Sequence, residues 1–216
     1  MIKNVIFDFD GVIRKMNDIP LEDILHDYGI TKYKVGRYRG LVLKDFFKNP
    51  LLVHLFEAWD LGFSDLDFLI KQSSILLGED EKIIGAIYHA VVDPKYNTAF
   101  PETLALINKL HKEGYKLYIL SNLSTHVRDM ASKIVDFSLF EGTAFSCDVK
   151  MVKPNLDYYI YFTKHYKIEP EESIFIDDNR DNLKNFYLMN GNIFLFRYKE
   201  IAKSIEELDH LIHTIE

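Results

Sequence analysis

Two aspartates stand two residues apart where a short apolar run ends, in the segment Val5-Ile6-Phe7-Asp8-Phe9-Asp10-Gly11. The β-branched and aromatic residues of the run predict a buried parallel strand, whose carboxyl end is the usual place for a ligand site. Because side chains alternate along a strand, Asp8 and Asp10 should project to the same side. The two carboxylates could share one cation or divide the roles of nucleophile and acid/base. A solvated acidic turn is the alternative that this segment alone leaves open.

Three further polar clusters follow predicted strands or an irregular segment. They are Ser121-Asn122, Lys153-Pro154 and Asp177-Asp178. Together with Asp8 they suit phosphoryl transfer, in which a negative nucleophile approaches a negative phosphoryl group. A magnesium ion held by Asp8 and the acidic pair could offset that repulsion. Lys153 would add positive charge and Ser121 a hydroxyl donor.

The rest of the chain alternates between predicted strands and helices. Strands are predicted over residues 115–120, 144–146, 173–176 and 193–196, and helices from Pro101 to Gly114, over 155–166 and 182–189, and at the C-terminus. This alternation favours a doubly wound parallel α/β sheet. Residues 17–96 show helical periodicity instead and predict an inserted α-helical cap domain. The core domain would then comprise residues 1–16 and 97–216.

Composition excludes several classes of partner. The chain has 216 residues and a net charge of -7, with 33 acidic against 26 basic side chains, so a nucleic-acid surface is not expected. We find no secretory signal and no apolar run near the roughly 18 residues that a membrane span needs. The single cysteine, Cys147, fits a reducing cytoplasm. A monomer or homodimer is expected.

The four clusters, in this order, resemble the motifs of the haloacid dehalogenase superfamily. The matching segments are Asp8-Phe9-Asp10-Gly11-Val12, Leu120-Ser121-Asn122, Lys153-Pro154 and Ile176-Asp177-Asp178-Asn179. An insert between the first two motifs is similar to members with an α-helical C1 cap. Trp59-Asp60-Leu61-Gly62 and Lys153-Pro154-Asn155 look similar to the branch of sugar-phosphate phosphatases and the phosphatase domain of epoxide hydrolases.

The resemblance implies a role for each matching residue. Asp8 would be the nucleophile that forms an aspartyl-phosphate, and Asp10 the acid for the leaving alkoxide and then the base for water. Ser121 and Asn122 would hold the phosphoryl group, and Lys153 would neutralise it and steady Asp8.

Metal binding is implied in the same way. Magnesium would be held by Asp8, the main-chain carbonyl of Asp10 and chiefly Asp178, with Asp177 binding directly or through water. Asn182 could support that loop or serve as a helix cap.

These roles imply a magnesium-dependent phosphatase for a small phosphomonoester, with a sugar phosphate favoured and a nucleotide 5'-monophosphate as the other candidate. The alternatives are a phosphomutase, a haloacid dehalogenase and a non-catalytic phospho-ligand binding protein. The superfamily's dehalogenases lack the second aspartate and need no metal, and a binding module has no need of Asp10.

Cap residues could set specificity. Arg37 and Arg39 could reach an anionic substrate or lie in a solvated loop. The aromatic residues of the insert are expected mainly in the cap's own core rather than in a lid. They are Phe46, Phe47, Phe56, Trp59 and Phe63.

Overall fold

A computed structural model describes residues 1–16, 21–30 and 49–215. Its core is a five-stranded sheet in which every neighbouring pair of strands is parallel, in the order β5-β4-β1-β6-β7. The strands are β1 (Asn4–Phe7), β4 (Lys116–Ser121), β5 (Gly142–Phe145), β6 (Ser173–Asp177) and β7 (Asn192–Leu195). The predicted doubly wound α/β fold is confirmed.

The central strand fixes the position of the first acidic motif. In β1, Phe7 is in register with Ile119 of β4 and with Ile176 of β6. The main-chain N–H of the next residue, Asp8, donates to the Ile176 carbonyl at 2.8 Å. Asp8 therefore lies at the same sheet edge as the polar ends of β4 and β6.

Helices cover both faces of this sheet. They are α5 (Pro101–Lys112), α6 (Thr125–Ile134), α7 (Ser146–Val149), α8 (Leu156–Tyr166), α9 (Arg180–Leu188) and α10 (Ile201–Thr214). Val5 and Phe7 belong to the apolar cluster that includes α5, α6 and α10, whereas Ile6 belongs to the cluster with α8 and α9. Successive side chains of β1 thus enter opposite layers, as expected for a strand buried on both faces.

The helical insert begins and ends at a pair of short antiparallel strands. These are β2 (Arg14–Met16) and β3 (Asn97–Ala99), and between them lie α1 (Leu21–Asp27), α2 (Pro50–Asp60), α3 (Leu66–Leu77) and α4 (Glu81–Val92). The side chains of Asn49, Asp65 and Asp80 cap the N-termini of α2, α3 and α4. The two strands meet the predicted boundaries after residue 16 and before residue 97, and the division into two domains stays a prediction.

Several local features differ from the sequence-based expectations. The strand predicted over 144–146 spans Gly142–Phe145 instead, and α7 begins at Ser146. The paired strands β2 and β3 were not predicted, because three residues are too few to show an alternating pattern.

The aromatic residues of the cap follow the prediction only in part. Trp59 is buried and packs edge-to-face with Phe56, whereas Phe63 is 68% exposed. Arg37, Arg39, Phe46 and Phe47 lie outside the described residues. Within the described ranges, no helix combines the length and apolarity that crossing a membrane requires.

A tyrosine beneath the sheet edge offers a test of this architecture. The fully buried Tyr158 lies near the main-chain carbonyls of Ser121 and Ala144, with its hydroxyl 3.1 and 2.9 Å away. Tyr158→Phe should lower the free energy of unfolding by about 1–2 kcal/mol, because a buried acceptor loses its donor. Urea denaturation would measure this loss. Tyr187→Phe, at a side chain that is 63% exposed, is the matched control and should change stability by less than about 0.5 kcal/mol.

Candidate active site

Three charged side chains meet at the carboxyl edge of the sheet. Lys153 Nζ lies 2.8 Å from Asp8 Oδ1 and 2.6 Å from Asp177 Oδ2, and all three residues are buried. Asp8 follows β1, Asp177 ends β6, and Lys153 comes from the segment between α7 and α8. The topology therefore brings together residues from three distant parts of the sequence.

This trio contains two carboxylates and one ammonium group. Burial, and then the negative charge of Asp177, raise the pKa of Asp8 to about 8, although Lys153 and Ser121 act in the opposite direction. Burial lowers the pKa of Lys153, but the attraction of Asp177 and Asp8 outweighs it and the net shift is upward. The lysine therefore stays charged, and the pair of carboxylates favours either a proton or a second cation.

Hydrogen bonds orient the Asp8 carboxylate. The Ser121 hydroxyl donates to Asp8 Oδ1 at 2.5 Å and the Phe9 N–H donates to the same oxygen at 2.7 Å. Lys153 reaches that oxygen too, so these contacts fix the carboxylate without using Oδ2. A carboxylate held in this way can present its other oxygen to an electrophile.

Asn122 holds the lysine in place. Its side-chain amide donates to the Lys153 carbonyl at 2.9 Å, and its side-chain oxygen accepts from the Lys153 N–H at 2.8 Å. The Lys153-Pro154 peptide bond is cis, and the Pro154 carbonyl accepts from the Asn185 side chain at 2.5 Å. Asn122 is thus seen as a support for Lys153, and its predicted contact with phosphate stays a prediction.

Asp177 is held by a second amide side chain. Asn182 Nδ2 lies 3.1 and 3.0 Å from the two carboxylate oxygens of Asp177, and the Asn179 N–H donates to Oδ1 at 2.8 Å. The hydroxyl of Tyr159 donates to the Asn182 carbonyl at 2.6 Å. Of the two roles considered for Asn182, the support of the acidic loop is the one these contacts show.

An acidic cluster at this edge has the donors that a divalent cation needs. Carboxylate oxygens of Asp8, Asp177 and Asp178 lie within 4.8 Å of one another. Burial, and then the charge of Asp177, raise the pKa of Asp178 to about 6. Three carboxylates suit a hard cation such as Mg²⁺. Gly11 has a φ of +77° and leaves room for the Asp178 carboxylate, which a Cβ at this position would strike.

Asp10 faces a different cation. Its Oδ2 accepts from Arg14 Nη2 at 2.7 Å, and Arg14 Nε pairs with Oδ1. Arg14 is only 2% exposed, and a lone basic residue after an apolar pair does not stand out in a sequence. The one weak signal was its spacing of four residues from Asp10.

The cap also reaches this edge of the sheet. The buried Ser146 hydroxyl donates to the Asp60 carbonyl at the end of α2 and accepts from the Leu123 N–H, at 2.7 and 2.9 Å. Leu123 directly follows Asn122, so one hydroxyl links the cap to this loop. Burial, and then the charge of Asp10, raise the pKa of the Asp60 carboxyl well above its usual value. These surroundings therefore disfavour the ionised form of Asp60.

Known proteins with this fold include hydrolases. The chain is 26% identical over 184 residues to pyrophosphatase PpaX of Anoxybacillus flavithermus, which covers 84% of this chain and 77% of the relative. A HAD family enzyme from Bacteroides thetaiotaomicron, in complex with magnesium and inorganic phosphate, matches with a TM-score of 0.68 and 21% identity. That match covers 93% of this chain and 96% of the other.

A dehalogenase has the same fold. L-2-haloacid dehalogenase from Xanthobacter autotrophicus gives a TM-score of 0.63 at 18% identity, over 100% of this chain and 85% of that one. Residues 2–184 match the family model described as haloacid dehalogenase-like hydrolase. The chain belongs to the haloacid dehalogenase-like hydrolases.

Proposed function

We propose that this protein is a magnesium-dependent phosphatase that hydrolyses small phosphomonoesters through an aspartyl-phosphate on Asp8. The observation that carries the proposal is the buried Asp8 carboxylate, which contacts Lys153 and Ser121 and lies beside Asp177 and Asp178. A sugar phosphate is the favoured substrate, in keeping with the predicted placement in the C1-capped phosphatase branch. The cytoplasmic location and the monomeric or dimeric state stay predictions from the sequence.

Two chemical steps follow from these roles. In the first step, an oxygen of Asp8 attacks phosphorus while the bond to the leaving oxygen breaks, and Asp10 gives its proton to that oxygen. In the second step, Asp10 takes a proton from water, the water oxygen attacks phosphorus, and the bond to Asp8 breaks. Inorganic phosphate leaves, and both aspartates return to their starting states.

The remaining site residues would offset the negative charge of the phosphoryl group. The Lys153 ammonium and the Ser121 hydroxyl stand where the oxygens of a phosphoryl group on Asp8 would need donors, and Asn122 keeps Lys153 at that position. Magnesium held by Asp8, Asp178, Asp177 and the Asp10 main-chain carbonyl would supply the positive charge that lets the carboxylate and the phosphoryl group approach.

The comparisons bear on the alternatives. The relative named as a pyrophosphatase supports cleavage of a phosphoric anhydride as a second candidate. A phosphomutase would use the same first step and pass the phosphoryl group to a sugar hydroxyl.

Phosphate release from a panel of sugar phosphates, nucleotide 5'-monophosphates and inorganic pyrophosphate tests the proposal. Release should need magnesium, stop with EDTA, and fall by at least about a thousandfold in Asp8→Asn, which has lost its nucleophile. Asp157→Asn, the same change at an exposed position of α8, is the matched control and should keep normal activity. Equal release by Asp8→Asn and the wild type would contradict the proposal, and a preference for pyrophosphate would favour the second candidate.

Asp10→Asn should trap the covalent intermediate. The leaving group of p-nitrophenyl phosphate departs without a proton, so Asp8 can still be phosphorylated, but water can no longer be activated. Mass spectrometry of peptides from quenched protein should show one phosphoryl group on Asp8. The double variant Asp8→Asn with Asp10→Asn is the control. A phosphorylated residue other than Asp8 would overturn the assigned nucleophile.

The stability of the metal-free protein should depend on pH. Since burial raises the pKa of Asp8 from 3.8 to about 8, the folded state binds a proton that the unfolded state releases near pH 3.8. This contribution is full below the unfolded pKa and is lost as pH rises through the folded pKa, so the melting temperature should fall toward pH 8.

Added magnesium should raise the melting temperature more at about pH 8 than at about pH 5, because protons compete with it for the carboxylates. Thermal denaturation with magnesium and with EDTA measures both effects. Asp178→Asn should lose most of the gain from magnesium. The same gain at both pH values, or an undiminished gain in this variant, would contradict the assigned ligands.

A further inference from the structure

Arg14 is a buried arginine with partners on both the catalytic side and the cap side. Its guanidinium pairs with the Asp10 carboxylate through Nη2 and Nε. Its Nη1 lies 3.1 Å from the Val91 carbonyl, in α4 of the cap, and 3.2 Å from Asn97 Oδ1, in β3. One planar group therefore contacts the proposed acid/base and the end of the last cap helix.

The cap side of this contact is itself fixed. The Asn97 side chain is 3% exposed, and its Nδ2 lies 2.9 Å from the Ala90 carbonyl and 2.7 Å from the Asp93 carbonyl. Asn97 thus holds the chain as it leaves α4, and its oxygen accepts from Arg14. The hydrogen bond from Nη2 and the ion-pair contact of Nε then restrict where the Asp10 carboxylate can lie.

We propose that Arg14 is a positioning residue that sets the orientation of Asp10 and links that orientation to the place where the cap joins the core. The inference rests on the proposed function, in which Asp10 protonates the leaving oxygen. Asp10 is 40% exposed at its side chain and could rotate, whereas Arg14 is nearly inaccessible. A displacement of the Val91 carbonyl, as the cap moves, would shift the guanidinium and with it the acid.

Arg14 is suited to this task because it does not belong to the charged cluster around Asp8. That cluster has its own cation, Lys153. Across the cap interface Arg14 also acts on Asp60, where its positive charge opposes the upward shift of the Asp60 pKa. The guanidinium thus acts on one carboxylate of the core and on one of the cap.

The dependence on leaving group separates positioning from a purely structural role. Arg14→Gln should lower kcat/KM by about a hundredfold for an alkyl phosphate, whose alkoxide needs a proton, and by much less for p-nitrophenyl phosphate. This ratio is informative because kcat/KM covers the steps up to departure of the leaving group. An equal loss on both esters would overturn the proposal, and so would no loss on either.

Further variants keep the test decisive if Arg14→Gln folds poorly. Arg14→Lys keeps the charge but not the fork, so the loss should again be greater for the alkyl ester. Asn97→Ala should give a smaller loss with the same dependence on leaving group. Arg197→Gln, which removes an arginine paired with Glu207 of α10, should leave the ratio unchanged.

A magnetic resonance measurement tests the contact without any turnover. The Arg14 Nε–H signal, assigned as the one missing in Arg14→Lys, should exchange slowly with solvent and should shift in Asp10→Asn. If the Arg14 signal exchanges with solvent as fast as that of Arg197 and its chemical shift does not change in Asp10→Asn, the inference is overturned even in an active enzyme. If the contact is seen but no ester is hydrolysed in any condition, the proposed function fails while the positioning contact stands.

Discussion

The buried contact of Lys153 with Asp8 and Asp177 is the constraint on which the rest of the site depends. Burying a charge is costly unless it is paired and hydrogen-bonded, and here each of the three charges has such partners. The sheet supplies Asp8 and Asp177 from neighbouring strands, and Asn122 and Asn182 hold Lys153 and Asp177. The one excess negative charge remains, and it makes the edge of the sheet a place for a proton or a cation.

The buried tyrosines of α8 extend this support into the apolar layer. The Tyr158 hydroxyl reaches carbonyls at the ends of β4 and β5, and the Tyr159 hydroxyl reaches the carbonyl of Asn182. Their rings meanwhile pack with Ile6 and Phe175 beneath the sheet. Burial of these rings therefore holds α8 against the sheet. The two hydroxyl groups on the same helix then hold the carbonyls beside the polar residues of the site.

The sequence could predict the strands and the residues at their ends, because buried strands are continuous apolar runs and the polar residues that follow them stand out. It could not predict the pairing of β2 with β3, since their six residues lie about 80 positions apart and show no local pattern. Arg14 was missed for the same reason, as only that pairing and Asn97 make its burial acceptable. The contact of the Asn122 side chain with Lys153 could not be predicted either, because the two residues lie 31 positions apart in the sequence.

The two aspartates of the first motif show how one short segment can serve two roles. Asp8 is enclosed by Lys153, Ser121 and the acidic cluster, whereas Asp10 is paired with Arg14 beside the cap. Environments that differ so strongly give carboxylates different tasks, since the counter-charge decides which group can attack and which can exchange a proton. Arg14 and Asn97 join the cap to the core directly beside the second of them. The nucleophile can then stay fixed in the sheet while the acid/base follows the part of the protein that meets the leaving group.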